Sequence, residues 1–164
     1  QTLRMLRGGL PFNTETQEGL ALLSEYLSGN LTIDRLKRLA YRVLAVDFML
    51  KGRGFRDVYE HFNEERGLDK EEAFLLTARV FRGGGFTKDH VYLKGFQRLH
   101  AAHVAGERLD YLFIGKTALE YGDLLVELIA RGILSPPKRV PMPYEAPREA
   151  QAIVKYVVES LKPN

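Results

Sequence analysis

The chain has 164 residues, enough for one domain with a buried core, and its 45% hydrophobic and 27% charged residues are ordinary values for a globular protein. It contains no cysteine, so disulfides are excluded and a metal site would have to use His, Asp or Glu ligands. No apolar run approaches the ~20 residues of a membrane-spanning helix, and a net charge of +3 argues against a dedicated nucleic-acid binder. We therefore expect a soluble, cytoplasmic protein with neither a membrane nor a nucleic acid as its partner.

Helix signals fill the first half of the chain. The tetrapeptides Thr14-Glu15-Thr16-Gln17 and Asp69-Lys70-Glu71-Glu72 match capping boxes, in which side chains satisfy the free N–H groups of a helix start. Thr32 is a further N-cap candidate, and glycines follow the ends of the apolar patterns. These signals predict four helices, over about residues 14–28, 32–52, 55–66 and 69–81.

The second half alternates helices with loops. Thr87 is the predicted N-cap of a long helix that extends to about Val104, and a further helix is predicted over 121–130. Residues 109–114 fit either a short strand or a helical turn. Five prolines make residues 135–147 an extended, helix-free connector. A terminal helix over 148–161 has an apolar side that comprises Ala152, Ile153, Tyr156, Val157 and Leu161.

These elements predict a mainly α fold of about seven helices with little or no sheet, in which residues 1–164 form a single domain. The chain begins with Gln1 rather than Met and continues into a loop of glycine and proline. We therefore expect it to be part of a longer protein.

Glu18 and Gly19 form the first candidate site. A carboxylate in the first turn of a helix is favoured by the helix dipole, which is a purely structural explanation for Glu18. Gly19 inside a helix costs about 1 kcal/mol relative to Ala, but a missing side chain lets a second backbone, or a metal with its other ligands, approach. Glu25 lies two turns further along nearly the same face, where it could support Glu18 as a metal ligand. The residues alone leave both explanations open.

The glycine-rich segment Arg82-Gly83-Gly84-Gly85-Phe86-Thr87-Lys88 is the second candidate site. Three glycines before a helix start leave backbone N–H groups able to approach an anion, and Arg82 and Lys88 add positive charge. The segment is not a Walker loop, because the Gly-Lys-Ser/Thr ending is absent. A plain flexible connector explains the same residues.

Histidines and a basic cluster are weaker candidates. His100 and His103 are spaced to reach one metal ion, but no acidic residue lies at a standard spacing to be the third ligand. We interpret them, together with His90, as surface or core-edge side chains, and His61 stands alone in a polar helix. The basic cluster on the second helix fits either solvated positions or a contact with an acidic partner; it comprises Arg35, Lys37, Arg38 and Arg42.

One pentapeptide makes the sequence recognisable. The motif that names the flavohemoglobin expression-modulating QEGLA-motif proteins is present as Gln17-Glu18-Gly19-Leu20-Ala21, and the chain resembles that family, which includes the microtubule-associated tyrosine carboxypeptidases. The similarity reaches about Pro143 through further segments, which are Glu25–Leu27, Arg42–Val46, Arg79–Gly84, Thr87–Asp89 and Tyr92–Gly95.

The resemblance implies that the chain is the C-terminal part of a zincin-like metallopeptidase domain. In this family an upstream helix carries a His-Glu-x-x-x-His motif with two zinc-binding histidines and a general-base glutamate, and the Glu before Gly-Leu-Ala is the third zinc ligand. Glu18 matches that ligand, whereas this sequence contains no His-Glu pair. We therefore expect the motif to precede Gln1, no stable zinc binding by this chain alone, and exposed apolar surface around Leu20 and Leu23.

The resemblance also gives the glycine-rich segment a purpose, because a carboxypeptidase must bind a free C-terminal carboxylate. Arg82 and Lys88 are the expected contacts with that carboxylate, and the hydroxyl of Tyr92, one turn beyond Lys88, would stabilise an oxyanion. The leading hypothesis is therefore a zinc carboxypeptidase that acts on the C terminus of a peptide or protein. Tubulin detyrosination is implied for eukaryotic relatives, and the QEGLA spelling favours a different peptide substrate. The alternative is a non-catalytic helical module that binds a protein partner in a regulatory role.

Overall fold

The computed structural model describes residues 5–83 and 88–161, and this part of the chain is mainly α-helical, as predicted. The described residues contain no strand. Within these two described ranges nine α-helices follow one another: α1 Met5–Gly8, α2 Asn13–Leu27, α3 Ile33–Leu50, α4 Phe55–Glu60, α5 Lys70–Phe81, α6 Lys88–Val104, α7 Gly122–Ala130, α8 Met142–Glu145 and α9 Ala152–Ser160. Among these described helices, none has both the length and the apolar character to cross a membrane.

Three shorter helical segments complete the described secondary structure. A π-helical turn, His61–Glu65, continues directly from α4, and two 3₁₀ segments, Asp110–Ile114 and Leu119–Tyr121, precede α7. The ambiguous stretch at residues 109–114 is therefore a helical turn and not a strand. The segment at 84–87, with the predicted N-cap Thr87, lies outside the described residues.

The chain forms two compact units. The larger unit consists of Gln1–Ile33 and Lys94–Asn164, and the smaller unit consists of Asp34–Leu93. In the smaller unit, α3, α4 and α5 enclose a core that includes Val58 and Phe62, both fully buried. The π-helical turn places His61 beside this core, where its ring stands edge-on to Phe48 at 4.7 Å. His61 is buried and bonded to Glu65, so the prediction that it stands alone in a polar helix is wrong.

Helix α2 begins one residue before the predicted capping box, and that prediction is wrong. Its N-cap is Phe12, which has a left-handed backbone (φ 62°) and whose side chain makes no capping hydrogen bond. Thr16, the third residue of the predicted box, instead accepts a 3.1 Å hydrogen bond from the backbone N–H of Leu119. By contrast, the second predicted box is confirmed at its N-cap, because the Asp69 carboxylate accepts the N–H of Glu72 at 2.8 Å.

The apolar face of α2 is covered, so the prediction of exposed surface around Leu20 and Leu23 is wrong. Leu20 is 5% exposed and Leu23 is fully buried. The covering elements belong to the same unit: α6 meets α2 backbone to backbone, and Tyr144 of α8 donates a 2.8 Å hydrogen bond to the carbonyl of Leu20. Burying two leucines contributes about 3–6 kcal/mol.

The C-terminal segment differs from prediction in two ways. The proline-rich connector contains the short helix α8, which Pro143 can join because a proline in the first turn has no N–H that needs a partner. Helix α9 begins at Ala152, later than the predicted residue 148. Its buried side is formed by Val154 and Val158, whereas Tyr156 on the predicted apolar side is 70% exposed.

Candidate functional site

Helices α2 and α6 cross at two glycines. A Cβ atom added to Gly19 would lie 2.3 Å from the carbonyl carbon of Gly95, and one added to Gly95 would lie 2.1 Å from the carbonyl oxygen of Glu15. Neither position can hold a side chain at this separation. The structure therefore explains Gly19 by the approach of a second backbone, which was one of the two reasons considered for a glycine beside Glu18.

Ion pairs hold α2 against α6 on one side of this crossing. The Glu15 carboxylate lies 2.7 Å from the Arg98 guanidinium and 3.1 Å from the Lys94 ammonium, and Arg98 also reaches Glu120 at 2.7 Å. Burial by itself raises the pKa of Glu15, but the hydrogen bonds and charges of Arg98 and Lys94 outweigh it and lower the pKa below its ordinary value. Glu15 therefore remains ionised, and its carboxylate serves in the ion pairs with Lys94 and Arg98 that join α2 to α6.

Glu18, one turn further along α2, differs from Glu15. Its side chain is half-buried, and it has no hydrogen bond or ion pair to any residue in the described part of the chain. The backbone of Glu18 is fixed by its place in α2 beside the close crossing at Gly19. Glu25, two turns along the same helix, is also half-buried but has an interaction of its own.

The described residues do not supply a complete metal site. No group of three or more His, Asp or Glu side chains among them could hold a metal ion. His100 is half-buried against the rings of Tyr26 and Phe96, and burial, with a smaller effect of His103, lowers the pKa of His100. This placement agrees with the interpretation of His100 as a core-edge side chain. A catalytic zinc needs about three protein ligands, so Glu18 alone does not satisfy one.

The smaller unit carries a basic groove. We use this name for a cavity of about 670 Å³ whose lining includes Arg38, Arg42, Arg79 and Arg82. Below the arginines lies Asp89, in the first turn of α6, with a side chain only 3% exposed. Arg79 donates three hydrogen bonds to the two oxygens of Asp89, at 2.8, 3.0 and 3.2 Å. This bidentate pairing fixes the Arg79 guanidinium plane at the wall of the groove.

Arg42 lies next to this pair. Its Nη1 atom is 4.0 Å from Asp89 Oδ1, and its side chain is 26% exposed. Burial is the largest cause that lowers the pKa of the Arg42 guanidinium, and the charge of Arg79 lowers it further, while Asp89 acts in the opposite direction. Arg42 is thus a partly desolvated cation beside the cation of Arg79. The nearby Asp89 carboxylate is already hydrogen-bonded to Arg79.

The predicted site residues fall in different units. Glu18 belongs to the larger unit, whereas Arg82, Lys88 and Tyr92 belong to the smaller one. Arg82 is exposed and lines the basic groove, and Tyr92 is half-buried and close enough to Arg42 to affect its pKa. Lys88 is the first residue of α6, but its side chain lies outside the described residues, as does the backbone of 84–87.

The pairing of Arg79 with Asp89 and the burial of Arg42 were not predicted from the sequence. One signal was present: an acidic residue in the first turn of a helix follows a basic residue in the last turn of the preceding helix. The basic cluster on α3 was interpreted either as solvated or as a contact for an acidic partner. Arg38 is 64% exposed and pairs with Glu72 at 2.9 Å, whereas Arg42 points toward Asp89.

Comparison with known proteins gives one result. A family model described as microtubule-associated tyrosine carboxypeptidase matches residues 1–162. No curated protein and no solved structure gives a significant match. Because the family model covers nearly the whole chain, this protein belongs to the microtubule-associated tyrosine carboxypeptidase family.

Proposed function

We propose that this chain is the C-terminal part of a zinc-dependent metallocarboxypeptidase domain of the QEGLA-motif group. Membership of a carboxypeptidase family supports a carboxypeptidase-related function with a peptide or protein as substrate. The zinc dependence, the subgroup and the zincin-like character of the domain are parts of the proposal. The pentapeptide at 17–21 supports the subgroup.

The observation that carries the proposal is the state of Glu18. Glu18 is a half-buried residue on a helix held in place by the Gly19–Gly95 crossing, and its carboxylate has no partner among the described residues. We propose that Glu18 is one zinc ligand. The other ligands and the general base would have to come from outside these 164 residues, because the sequence contains no His-Glu pair. Zinc bound in such a site supplies Lewis-acid activation of a carbonyl and of water.

The proposed roles of the other residues concern the substrate. Arg82 and Lys88 would bind the terminal carboxylate of the peptide, since charge-assisted hydrogen bonds to a carboxylate are about twice as strong as neutral ones. The Tyr92 hydroxyl would donate to the oxyanion that forms at the scissile carbonyl. The exposed position of Arg82 at the basic groove supports its part in this proposal.

Zinc content tests the metal ligand. Mass spectrometry would compare this chain with a protein that joins it to the upstream His-Glu-x-x-x-His segment of its parent, each as purified. We expect about one zinc per longer protein, lost in Glu18→Ala and retained in Glu127→Ala, a helical glutamate paired with Arg131 on the surface. If the longer protein holds no zinc, the metallopeptidase proposal is wrong, and the non-catalytic partner-binding module becomes the better account.

Kinetics of the longer protein test the substrate contacts. Arg82→Ala should raise KM for a peptide with a free C terminus about tenfold or more, because a charged hydrogen bond to the substrate is lost. Tyr92→Phe should lower kcat and leave KM nearly unchanged, as expected for a group that binds only the oxyanion. Unchanged constants in either variant would remove that residue from the proposed site.

A further inference from the structure

The basic groove has a basic end and an acidic end. The basic end is lined by Arg42 of α3 and by Arg79 and Arg82, which lie at the C-terminal end of α5. Leu75 and Leu76 line the same cavity. At the other end lie Asp69, Glu71 and Glu72, of which Asp69 caps α5 and Glu72 pairs with Arg38. The acidic side chains therefore lie at the start of α5, about two turns or more from Arg79 and Arg82.

Asp89 does not satisfy Arg42. The carboxylate of Asp89 makes its short hydrogen bonds with Arg79, and the contact of Arg42 with Asp89 is at the limiting distance of 4.0 Å. Arg42 makes no hydrogen bond to any residue that the structure describes. A guanidinium has five N–H donors, and a desolvated one without acceptors is costly. The position of Arg42 therefore calls for a second acidic group, supplied by a ligand in the groove.

We propose that the basic groove is a carboxylate subsite in which Arg42 is the principal ligand of a carboxylate group on a bound peptide. Asp89 orients Arg79 as one wall, Arg82 approaches from the exposed side, and Leu75 and Leu76 contact the apolar part of the residue that carries the carboxylate. The Arg42 guanidinium favours a planar carboxylate, which an arginine binds through two parallel hydrogen bonds.

This inference rests on the proposed function, since it assumes that a peptide is the substrate, and it adds a specific residue and subsite to it. The carboxylate has two sources in a peptide. It is either the α-carboxylate of the last residue or the side chain of a glutamate or aspartate within the peptide. Both use the same guanidinium chemistry, and the peptide probes below distinguish them.

Binding of peptides to the 164-residue chain tests the subsite without zinc and without hydrolysis. The probe is a short, fluorescently labelled, glutamate-containing peptide that ends in tyrosine, and anisotropy reports its affinity. Arg42→Met should weaken binding about tenfold or more, because a charge-assisted bidentate contact is lost, and Arg42→Lys should recover only part of it. Arg56→Met is the matched control, since Arg56 is an exposed arginine of the same unit that pairs with Glu60 outside the groove.

Two modified probes identify the source of the carboxylate. If the peptide with an amidated C terminus loses the Arg42-dependent part of its affinity, the groove binds the terminal carboxylate. If the peptide with glutamines in place of glutamates loses it, the groove binds an acidic side chain. Either result supports the subsite, and an affinity that neither change reduces would overturn it.

Folding is checked separately for each variant by thermal unfolding. Asp89 keeps its hydrogen bonds to Arg79 in Arg42→Met, so we expect the melting temperature to stay close to that of the parent. The inference is wrong if folded Arg42→Met binds the peptide as tightly as Arg56→Met does, or if the folded parent binds none of the peptides. Since no zinc is involved, these results are independent of the zinc measurement on Glu18.

Discussion

Replacing Gly95 by alanine is the sharpest test of the α2–α6 crossing. The added Cβ would lie 2.1 Å from the carbonyl oxygen of Glu15 and 3.2 Å from the Cα of Gly19. Both neighbours are backbone atoms of a helix, so no side chain can rotate away to make room. To reach an ordinary contact distance of 3.4 Å, the two helices must separate locally by about 1.3 Å.

Two opposing effects set the magnitude. Overpacking in a well-packed region costs about 1–3 kcal/mol, and a clash between two backbones belongs at the upper end of that range. Alanine is favoured over glycine inside a helix by about 1 kcal/mol, which offsets part of the cost. We expect Gly95→Ala to lower the free energy of unfolding by about 2 kcal/mol, which is about 4–8 °C in melting temperature for a chain of this size.

The assay is thermal and urea unfolding followed by circular dichroism, with Gly8→Ala as the matched control. Gly8 is also helical, but a Cβ added there meets no atom within 4 Å, so Gly8→Ala should be neutral or slightly stabilising. If Gly95→Ala is as stable as the parent, or more stable, helix propensity outweighs the clash and the argument for a close crossing is refuted.

Three further predictions concern single side chains. Thr16→Val should lower the free energy of unfolding, measured in urea, by about 1–3 kcal/mol, because it leaves the N–H of Leu119 without its acceptor. The control Thr117→Val should be neutral or stabilising, since the buried Thr117 hydroxyl has no partner among the described residues. Equal losses of unfolding free energy in the two variants would contradict this prediction. Arg79→Met should lower the free energy of unfolding in the same measurement by about 2–3 kcal/mol, because the buried Asp89 carboxylate loses its hydrogen bonds to Arg79. An unchanged free energy of unfolding would show that this pair does not stabilise the smaller unit. Burial raises the pKa of Tyr144 from 10.0 to about 12, so the stability that its neutral form provides is complete below pH 10 and is lost as the pH rises toward 12. Tyr144→Phe should therefore flatten the fall in melting temperature between pH 10 and pH 12. Parallel profiles of melting temperature against pH for the parent and the variant would contradict the shift.

Local signals in the sequence predicted most of the helices. Asp69 is an N-cap because its carboxylate reaches an N–H group only three residues away, and this needs no information from the rest of the chain. Gly132 ends α7 in the same way, since its left-handed backbone (φ 68°) is a local property of glycine. The end of α6 at Val104 also agrees with the apolar periodicity. Such features depend only on residues within one helical turn, and they can therefore be predicted from a single sequence.

Features that depend on distant partners were not predictable. Phe12 adopts a left-handed backbone conformation, which is unfavourable for phenylalanine. Two residues earlier, the N–H of Leu10 donates a hydrogen bond to the carbonyl of Lys116, which is more than a hundred residues away in sequence. Helix α9 has apolar residues on two sides, and only its packing decides that Val154 faces inward while Tyr156 is exposed. The same holds for the candidate site: Glu18 could be marked from its motif, whereas the desolvation of Arg42 depends on where α6 places an acidic residue.

The ion pair between Arg79 and Asp89 has a consequence for the length of the chain between them. It joins the last turn of α5 to the first turn of α6 across ten positions in sequence, and so fixes both ends of the connection. Loop-closure entropy then changes by only about 0.6 kcal/mol for each doubling of the connection. A change in the length of this connection should therefore cost little stability, because the ion pair keeps the two flanking helix ends together.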